Sequence, residues 1–245
     1  MKPPLLQGAV KLVEARRILE RARSEGRLKL LEHESLRLCE LYGLPVAKYG
    51  LATSEEEAVA LANDIGFPVV LKVVSPDISH KSDVGGVILG IKSSEEVRRA
   101  YNTIISSVLA RAPRSRINGV LVQKMAQQDL EVIVGGIRDR VFGPVVMFGL
   151  GGIFVEVLKD VSFRVAPLTE ADVDDMIREI KGYKVLEGYR GSPPRDIESL
   201  KKIILGLATM ISELSEIEAV DLNPVILYPQ GKGALIVDAR IILGG

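Results

Sequence analysis

Cys39 is the only cysteine among 245 residues, which excludes an internal disulfide and any cysteine-based metal site. Histidine is nearly as scarce: His33 and His80 are the only two, so imidazole chemistry has two candidates. There is no surplus of charge. Lys and Arg total 32 and Asp and Glu total 32, whereas a dedicated nucleic-acid binder usually carries a basic excess. No apolar run approaches the roughly 18 residues of a membrane span. The most apolar stretch, from Pro144 to Leu158, is broken by glycines and a glutamate. The opening residues lack the apolar h-region and small-residue cleavage site of a signal peptide. What remains is ordinary globular composition, 47% hydrophobic and 26% charged, which excludes general disorder and gives mass for one large or two small domains. These features point to a soluble, cytoplasmic protein without nucleic acid or membrane partners.

Hydrophobic spacing organises the chain. Leu12, Ala15, Leu19 and Ala22 recur at helical intervals within a predicted helix over 9–26. Its basic character suits either a solvated helix over an edge of the fold or a docking surface for another chain. A helix from His33 stops at Gly43, followed by Pro45, and a short strand follows over 46–51. Ser54 and Ser93, each followed three residues later by Glu57 or Glu96, read as capping boxes opening two helices. Between these helices, Val69–Val74 and Gly86–Ile91 read as strands. A second set of strands is expected from Asn118, with 118–124 pairing with 130–137, then 144–148 and 161–165. Helices are expected over 169–180 and 195–214. A closing hairpin joins 219–227 to 234–239 through the turn at 229–233. Strands and helices do not alternate regularly. The expected class is therefore α+β in two lobes rather than a doubly wound parallel sheet. The expected divisions are a helical extension (1–27), a first subdomain (28–115) and a second (116–245).

Several residues stand out chemically. Lys72 lies inside the apolar strand PVVLKVV, so it either faces solvent or meets an anion, because an unpaired buried charge is costly. The polar loop after it carries His80 and ends at Gly85-Gly86, where paired glycines permit close backbone approach. It is not a Walker P-loop, since no G-x-x-x-x-G-K-[ST] occurs. Asn223 and Asp238 fall near facing ends of the last hairpin. An amide and a carboxylate oxygen suit Mg²⁺, which takes few protein ligands and fills its shell from phosphate and water. Asp221 lies two residues upstream of Asn223. Glu131 sits in the apolar stretch LEVIVGG, where a buried carboxylate would need a ribose hydroxyl or a metal as partner. Arg164 is another cation in apolar company. Gly149-Leu150-Gly151-Gly152 fails the dinucleotide fingerprint and reads as a phosphate-proximal or mobile loop. Each of these residues also has an ordinary structural reading, as strand-end, turn or loop polar groups.

The ordered set LEHESLRLCELYGLPVAKYG, FPVVLKVVSPDISHKSDVGGV, GVLVQKMAQQDLEVIVGG, EAVDLNPVIL and LIVDARI resembles the ATP-grasp (β) subunit of ADP-forming acyl-CoA synthetases over about residues 28–242. The resemblance implies an ATP-grasp fold holding ADP or ATP between two α+β lobes. It implies that Lys72 contacts nucleotide phosphates and that Gln123-Lys124-Met125 accept the adenine edge through their backbone. Glu131 matches an acidic position of the nucleotide lobe, and Asn223 and Asp238 match the Mg²⁺ ligands. Asp221 aligns with an acidic residue that related succinyl-CoA synthetases use at a phosphohistidine site, where their motif has glutamate. His80 is typical of the acetyl-CoA enzymes, while the succinyl enzymes carry an arginine-containing glycine loop. Because the sequence stops shortly after Asp238, the CoA-binding and ligase domains are expected on a separate α subunit, in an α₂β₂ assembly. The implied reaction is acyl-CoA + ADP + phosphate ⇌ acid + CoA + ATP, through a phosphohistidine of the α subunit, with Mg²⁺, Lys72 and Arg164 compensating charge. His80, in a polar glycine-ended loop that can swing, is expected to relay the phosphoryl group to ADP, the alternative being that it only hydrogen-bonds phosphate. Two alternatives stay open on the residues alone: a nucleotide-sensing subunit that transfers nothing, and a carboxylate–amine ligase of the same fold.

Overall fold

The computed structural model describes residues 4–152 and 159–245, with side chains from Val10 onward. Residues 153–158, the end of the apolar stretch read to Leu158, lie outside the described residues. The chain divides into two units. One comprises residues 31–33 and 47–127, the other residues 1–30, 34–46 and 128–245. The boundary near 115/116 falls instead at 127/128, where the strand over 119–124 joins the first sheet, and residues 1–30 and 34–46 group with the larger unit.

The smaller unit is a four-stranded antiparallel sheet of β1 (Tyr49–Ala52), β2 (Val69–Val74), β3 (Val87–Ile91) and β4 (Gly119–Lys124), in the order β1-β4-β2-β3. β4 lies between β1 and β2, with Gln123 opposite Tyr49 on one side and Val70 on the other. The expected pairing of 118–124 with 130–137 is thus corrected: β4 completes the first sheet, which needs a central strand buried on both faces. Helices α3 (Glu55–Ile65) and α4 (Ser94–Arg111) cover one face. Both begin as the sequence implies. Ser54 accepts from the Glu57 N–H and Ser93 from the Glu96 N–H, each at 3.2 Å. The return bonds fall one residue earlier than in a strict box, since Glu57 accepts from the Thr53 N–H at 2.7 Å and Glu96 from the Lys92 N–H at 2.8 Å. Val69, Leu71 and Val73 face the helices and pack with Ala58, Ala62, Val97, Ile104 and Val108. Strand alternation then puts Val70, Lys72 and Val74 on the opposite face.

The larger unit is built on a sheet in the order β10-β8-β5-β6-β7, with β9 also paired to β8. Its strands are β5 (Leu130–Asp139), β6 (Gly143–Leu150), β7 (Val161–Val165), β8 (Ile217–Leu227), β9 (Ala234–Ile236) and β10 (Ala239–Leu243). Helix α5 (Glu170–Glu179) packs on β7, α6 (Tyr183–Glu187) is a single short turn, and α7 (Ile197–Glu213) packs on β5 and β6. A Cβ on Gly136 would come within 2.9 Å of Leu207, so the glycine lets α7 lie close on the sheet. This side buries Val220 and Leu222 of β8 and leaves Asp221 and Asn223 on the other side, exposed. Helices α1 (Pro4–Ser24) and α2 (Glu32–Leu41) precede both sheets, and Lys11 of α1 pairs with Glu213 of α7 at 3.0 Å. Among the described residues no helix is long and apolar enough to cross a membrane.

Candidate functional site

In the smaller unit, Lys72 sits at the middle of β2, opposite Leu121 of β4 and Val87 of β3, and is only 8% exposed. Its ammonium meets an anion rather than solvent. Nζ donates to Oε1 of Glu32 at 2.7 Å, and Nζ of Lys81 donates to the other carboxylate oxygen. Glu32 opens α2 and is itself buried. Burial pushes its carboxyl up, but Lys72 and Lys81 outweigh that and hold it below the usual range. One carboxylate between two ammonium groups leaves this buried cluster with one net positive charge, an environment suited to phosphate.

His80 is exposed, one residue before Lys81, in the loop joining β2 to a 3₁₀ turn at Ser82–Val84. The loop is held on both sides. The Asp77 carboxylate accepts from the Arg116 backbone N–H at 2.7 Å and from its guanidinium at 3.1 and 3.2 Å. Ile78 is buried in the core under the helices. Gly86 donates to the Lys81 carbonyl and accepts from the Val73 N–H, each at 2.7 Å. Gly85 adopts φ +69°, a conformation that glycine takes at little cost. The paired glycines therefore turn the loop back onto β2.

In the segment 123–125, Gln123 is buried at the end of β4. The backbone N–H of Lys124 donates to the Lys48 carbonyl at 2.7 Å and that of Met125 to the Pro68 carbonyl at 3.1 Å. The Lys124 ammonium donates to the carbonyls of Gly66 and Phe67, at 2.9 and 2.6 Å, which close the C-terminus of α3. The side chain of Lys124 is thus structural. The segment's backbone carbonyls, each with two lone pairs, are its groups for an incoming amino donor.

The larger unit brings Asn223 and Asp238 together. Leu222 pairs with Ala239 and Val225 with Ile236, so the register sets Asn223 opposite Asp238. The Asn223 N–H donates to the Asp238 carbonyl at 3.3 Å, and the Val237 N–H to the Pro224 carbonyl at 3.1 Å. Directly opposed residues of an antiparallel ladder lie about 5 Å apart, and Mg²⁺ takes oxygen ligands at about 2.1 Å, so one amide and one carboxylate here can share an ion. Among the described residues no group of three or more His, Cys, Asp or Glu side chains could hold a metal. Asp221, on the same face as Asn223, is paired in register with Arg240 of β10. Desolvation by the surrounding sheet raises its carboxyl above the usual range, against the weaker pull of Arg240.

One expectation is corrected, and one residue is placed. Glu131 is exposed, so its carboxylate does not require a buried partner. Arg164 is engaged within the unit: it pairs with Glu179 of α5 at 2.7 Å and donates to the Phe163 carbonyl at 2.8 Å. The glycine stretch 149–152 also begins inside β6. A Cβ on Gly149 would lie 2.8 Å from the Asp160 carbonyl, and one on Gly151 would lie 2.9 Å from the Glu131 carbonyl. Gly149 and Gly151 therefore permit tight strand packing. Glu32 and Lys81 were missed by sequence reasoning. A glutamate at a helix start is commonplace, and nothing in its spacing announces a partner forty residues away.

The ATP-grasp domain family matches residues 21–243. The β subunit of acetate–CoA ligase [ADP-forming] I of Pyrococcus furiosus is 50% identical over 233 residues, covering 95% of this chain and 99% of that protein. Acetate–CoA ligase [ADP-forming] I of Archaeoglobus fulgidus is 45% identical over 98% of this chain, which spans 34% of that longer protein. Among solved structures, acetyl-coenzyme A synthetase 1 of Ca. Korarchaeum cryptofilum, in complex with coenzyme A, Ca-AMPCP and HgCl⁺, superposes with a TM-score of 0.90. It is 53% identical, over 94% of this chain and all of that one. The same enzyme with coenzyme A and Mg-AMPPCP, its phosphohistidine segment pointing towards the nucleotide binding site, matches with a TM-score of 0.84 at 50% identity, again over 94% of this chain and all of that one. The chain therefore belongs to the ATP-grasp family and, within it, to the β subunits of the ADP-forming acetate–CoA ligases.

Proposed function

We propose that this chain is the nucleotide-handling subunit of an ADP-forming acyl-CoA ligase, and that His80 carries a phosphoryl group to ADP. The observation that carries this reading is the position of His80. It lies on a tethered loop next to the Lys72–Glu32–Lys81 cluster, whose net positive charge suits a phosphoryl group in transit. Lys72 binds nucleotide phosphate, and the backbone carbonyls of Gln123, Lys124 and Met125 accept from the adenine amino group. Glu131, exposed at the start of β5, accepts from a ribose hydroxyl. Asn223 and Asp238 hold Mg²⁺, which neutralises phosphate charge when bound.

The transfer runs in two balanced steps. A ring nitrogen of neutral His80 attacks the phosphorus of a phosphohistidine on the partner subunit. A new P–N bond forms as the old one breaks and the partner's imidazole leaves. An ADP oxygen then attacks the same phosphorus, forming P–O as the bond to His80 breaks. Asp221, the counterpart of the acidic residue that succinyl-CoA synthetases use at a phosphohistidine site, accepts from the imidazole N–H of the incoming phosphohistidine. Arg164, paired with Glu179 in the structure, assists charge compensation on the transferring phosphoryl group.

The longer Archaeoglobus relative holds a match to this chain in about a third of its length. That proportion supports an α partner carrying the CoA-binding and ligase functions, and we assign an α₂β₂ assembly acting in the cytoplasm. The test is reconstitution. With acetyl-CoA, ADP, phosphate and Mg²⁺, the chain plus its α subunit should form ATP, while the chain alone should bind ADP and form none. Acetyl-CoA turnover by the isolated chain would refute the division of labour. ADP binding that never leads to ATP in the reconstituted complex would favour a sensing role instead.

A further inference from the structure

We propose that Glu32 is the positioning residue of the phosphoryl-transfer loop, fixing His80 relative to Lys72 and tempering the site's positive charge. The inference rests on the reading of His80 as the phosphoryl carrier. Its basis is the bridge itself. Glu32 is buried at the first residue of α2, and its two carboxylate oxygens are divided between two lysines of different mobility. Lys72 is fixed in a strand paired on both sides. Lys81 belongs to the loop and directly follows His80. A backbone anchor also reaches Lys81, whose carbonyl accepts from Gly86 while the Gly86 carbonyl accepts from Val73 of β2. The side-chain anchors other than Glu32 lie farther along the chain, Asp77 with Arg116 before it and the Asp83 carbonyl with Arg111 after it. Glu32 therefore ties the loop at Lys81 directly to the strand lysine through its side chain, alongside the backbone bonds through Gly86.

The charge argument is separate. Two neighbouring ammonium groups, Lys72 buried and Lys81 partly so, would without a carboxylate attract nucleotide phosphates strongly in ground state and transition state alike, and such uniform binding does not speed transfer. One carboxylate between them cancels half of that charge while leaving both ammonium groups in place.

Glu32→Gln keeps the shape and removes the charge. Its amide offers one acceptor oxygen, uncharged, where the carboxylate gave each lysine an oxygen of its own, so the bridge is weakened. We expect Mg²⁺·ADP, measured by calorimetry, to bind several-fold more tightly. Transfer of labelled phosphoryl to ADP in the reconstituted complex should be about 100-fold slower, as for an ångström-scale misplacement of reacting groups. Affinity and rate moving in opposite directions is a signature that simple loss of structure does not give. Lys81→Met is the second variant. It leaves the Glu32–Lys72 pair intact and removes the tether together with one positive charge, so ADP should bind a few-fold more weakly while transfer slows far more. This side chain is partly exposed, and the folded state should survive its replacement.

Wild-type transfer in both variants would overturn the inference. So would a parallel loss of affinity and rate in a Glu32→Gln protein whose melting temperature is unchanged. If Glu32→Gln does not fold, Lys81→Met alone decides. His80→Ala separates the two layers. If that variant transfers at the wild-type rate, the carrier reading fails. If it is inactive while Lys81→Met is fully active, the carrier reading stands and the positioning role fails.

Discussion

Replacing Gly86 by alanine adds one methyl group at the point where the His80 loop rejoins the sheet. That Cβ would lie 2.4 Å from Cγ1 of Val73 and 3.0 Å from the carbonyl oxygen of Lys81. Neither neighbour yields easily. Val73 is β-branched, stiff at χ1, and buried in the core between β2 and the two helices. The Lys81 carbonyl accepts the Gly86 N–H at 2.7 Å, and the Gly86 carbonyl accepts from the Val73 N–H at 2.7 Å, so the backbone is pinned on both sides. The methyl must push the loop off the strand or force Val73 into the helices. Overpacking of this kind costs about 1–3 kcal/mol, a melting temperature lower by roughly 2–12 °C for a chain of this size. If the loop moves instead, Lys81 and His80 move with it, and phosphoryl transfer should fall about 100-fold. Differential scanning calorimetry and a labelled-phosphate transfer assay on the same preparation measure both. A Gly86→Ala protein with wild-type melting temperature and wild-type transfer would refute the reasoning.

Asp238→Asn should raise the Mg²⁺ concentration needed for half-maximal ATP formation by tenfold or more, an order of magnitude typical of losing a group that supports a metal site, with little change in unfolding by urea. Asp196 caps α7, accepting from the Ser199 N–H at 3.0 Å and the Gly233 N–H at 2.8 Å, so Asp196→Ala should lower stability by about 2–4 kcal/mol in urea titrations. The same residue makes a pH prediction. Burial raises its carboxyl, but the backbone N–H groups of Gly233 and Ser199 outweigh that and hold it below the usual range. Its stabilisation is therefore complete above the unfolded pKa and is lost as pH falls through the folded one. The stability gap between wild type and Asp196→Ala should be widest near neutrality and close on acidification. Burial, with the charge of Glu40 adding to it, pushes the Cys39 thiol up to about 12. Iodoacetamide should leave it unmodified in the folded protein at about pH 8 and alkylate it in urea.

Local signals in the sequence were reliable where the physics is local. Ser54 and Ser93 announce the helices they cap because the bonds span three residues. Lys72 stands out because a lysine in an apolar strand must find an anion, and it does. Asn223 and Asp238 could be matched because a hairpin with a short turn brings near-neighbours in sequence into register. What depended on long-range pairing was hidden. The residues Gly119–Lys124 look the same whether they join the sheet before them or the one after, since both offer an apolar neighbour. Glu32 gives no hint of Lys72, because their contact is made only when the start of α2 meets β2. Glu131 sits among apolar residues in the sequence yet is exposed, because it stands at the start of β5, just before the buried run that begins at Val132. Arg164 was visible as a cation, but its partner Glu179 lies on a helix whose docking on β7 no sequence spacing records.

The central claim is that this chain itself carries the phosphoryl group, on His80. The most direct measurement is to incubate the αβ complex with acetyl-CoA and ³²P-phosphate in the absence of ADP, separate the subunits, and locate the label. The account predicts acid-labile, base-stable label on this chain at His80, discharged to ATP within a turnover when ADP is added, and no label on this chain in the His80→Ala complex. Label confined to the α subunit and passed to ADP at the wild-type rate by the His80→Ala complex would contradict it.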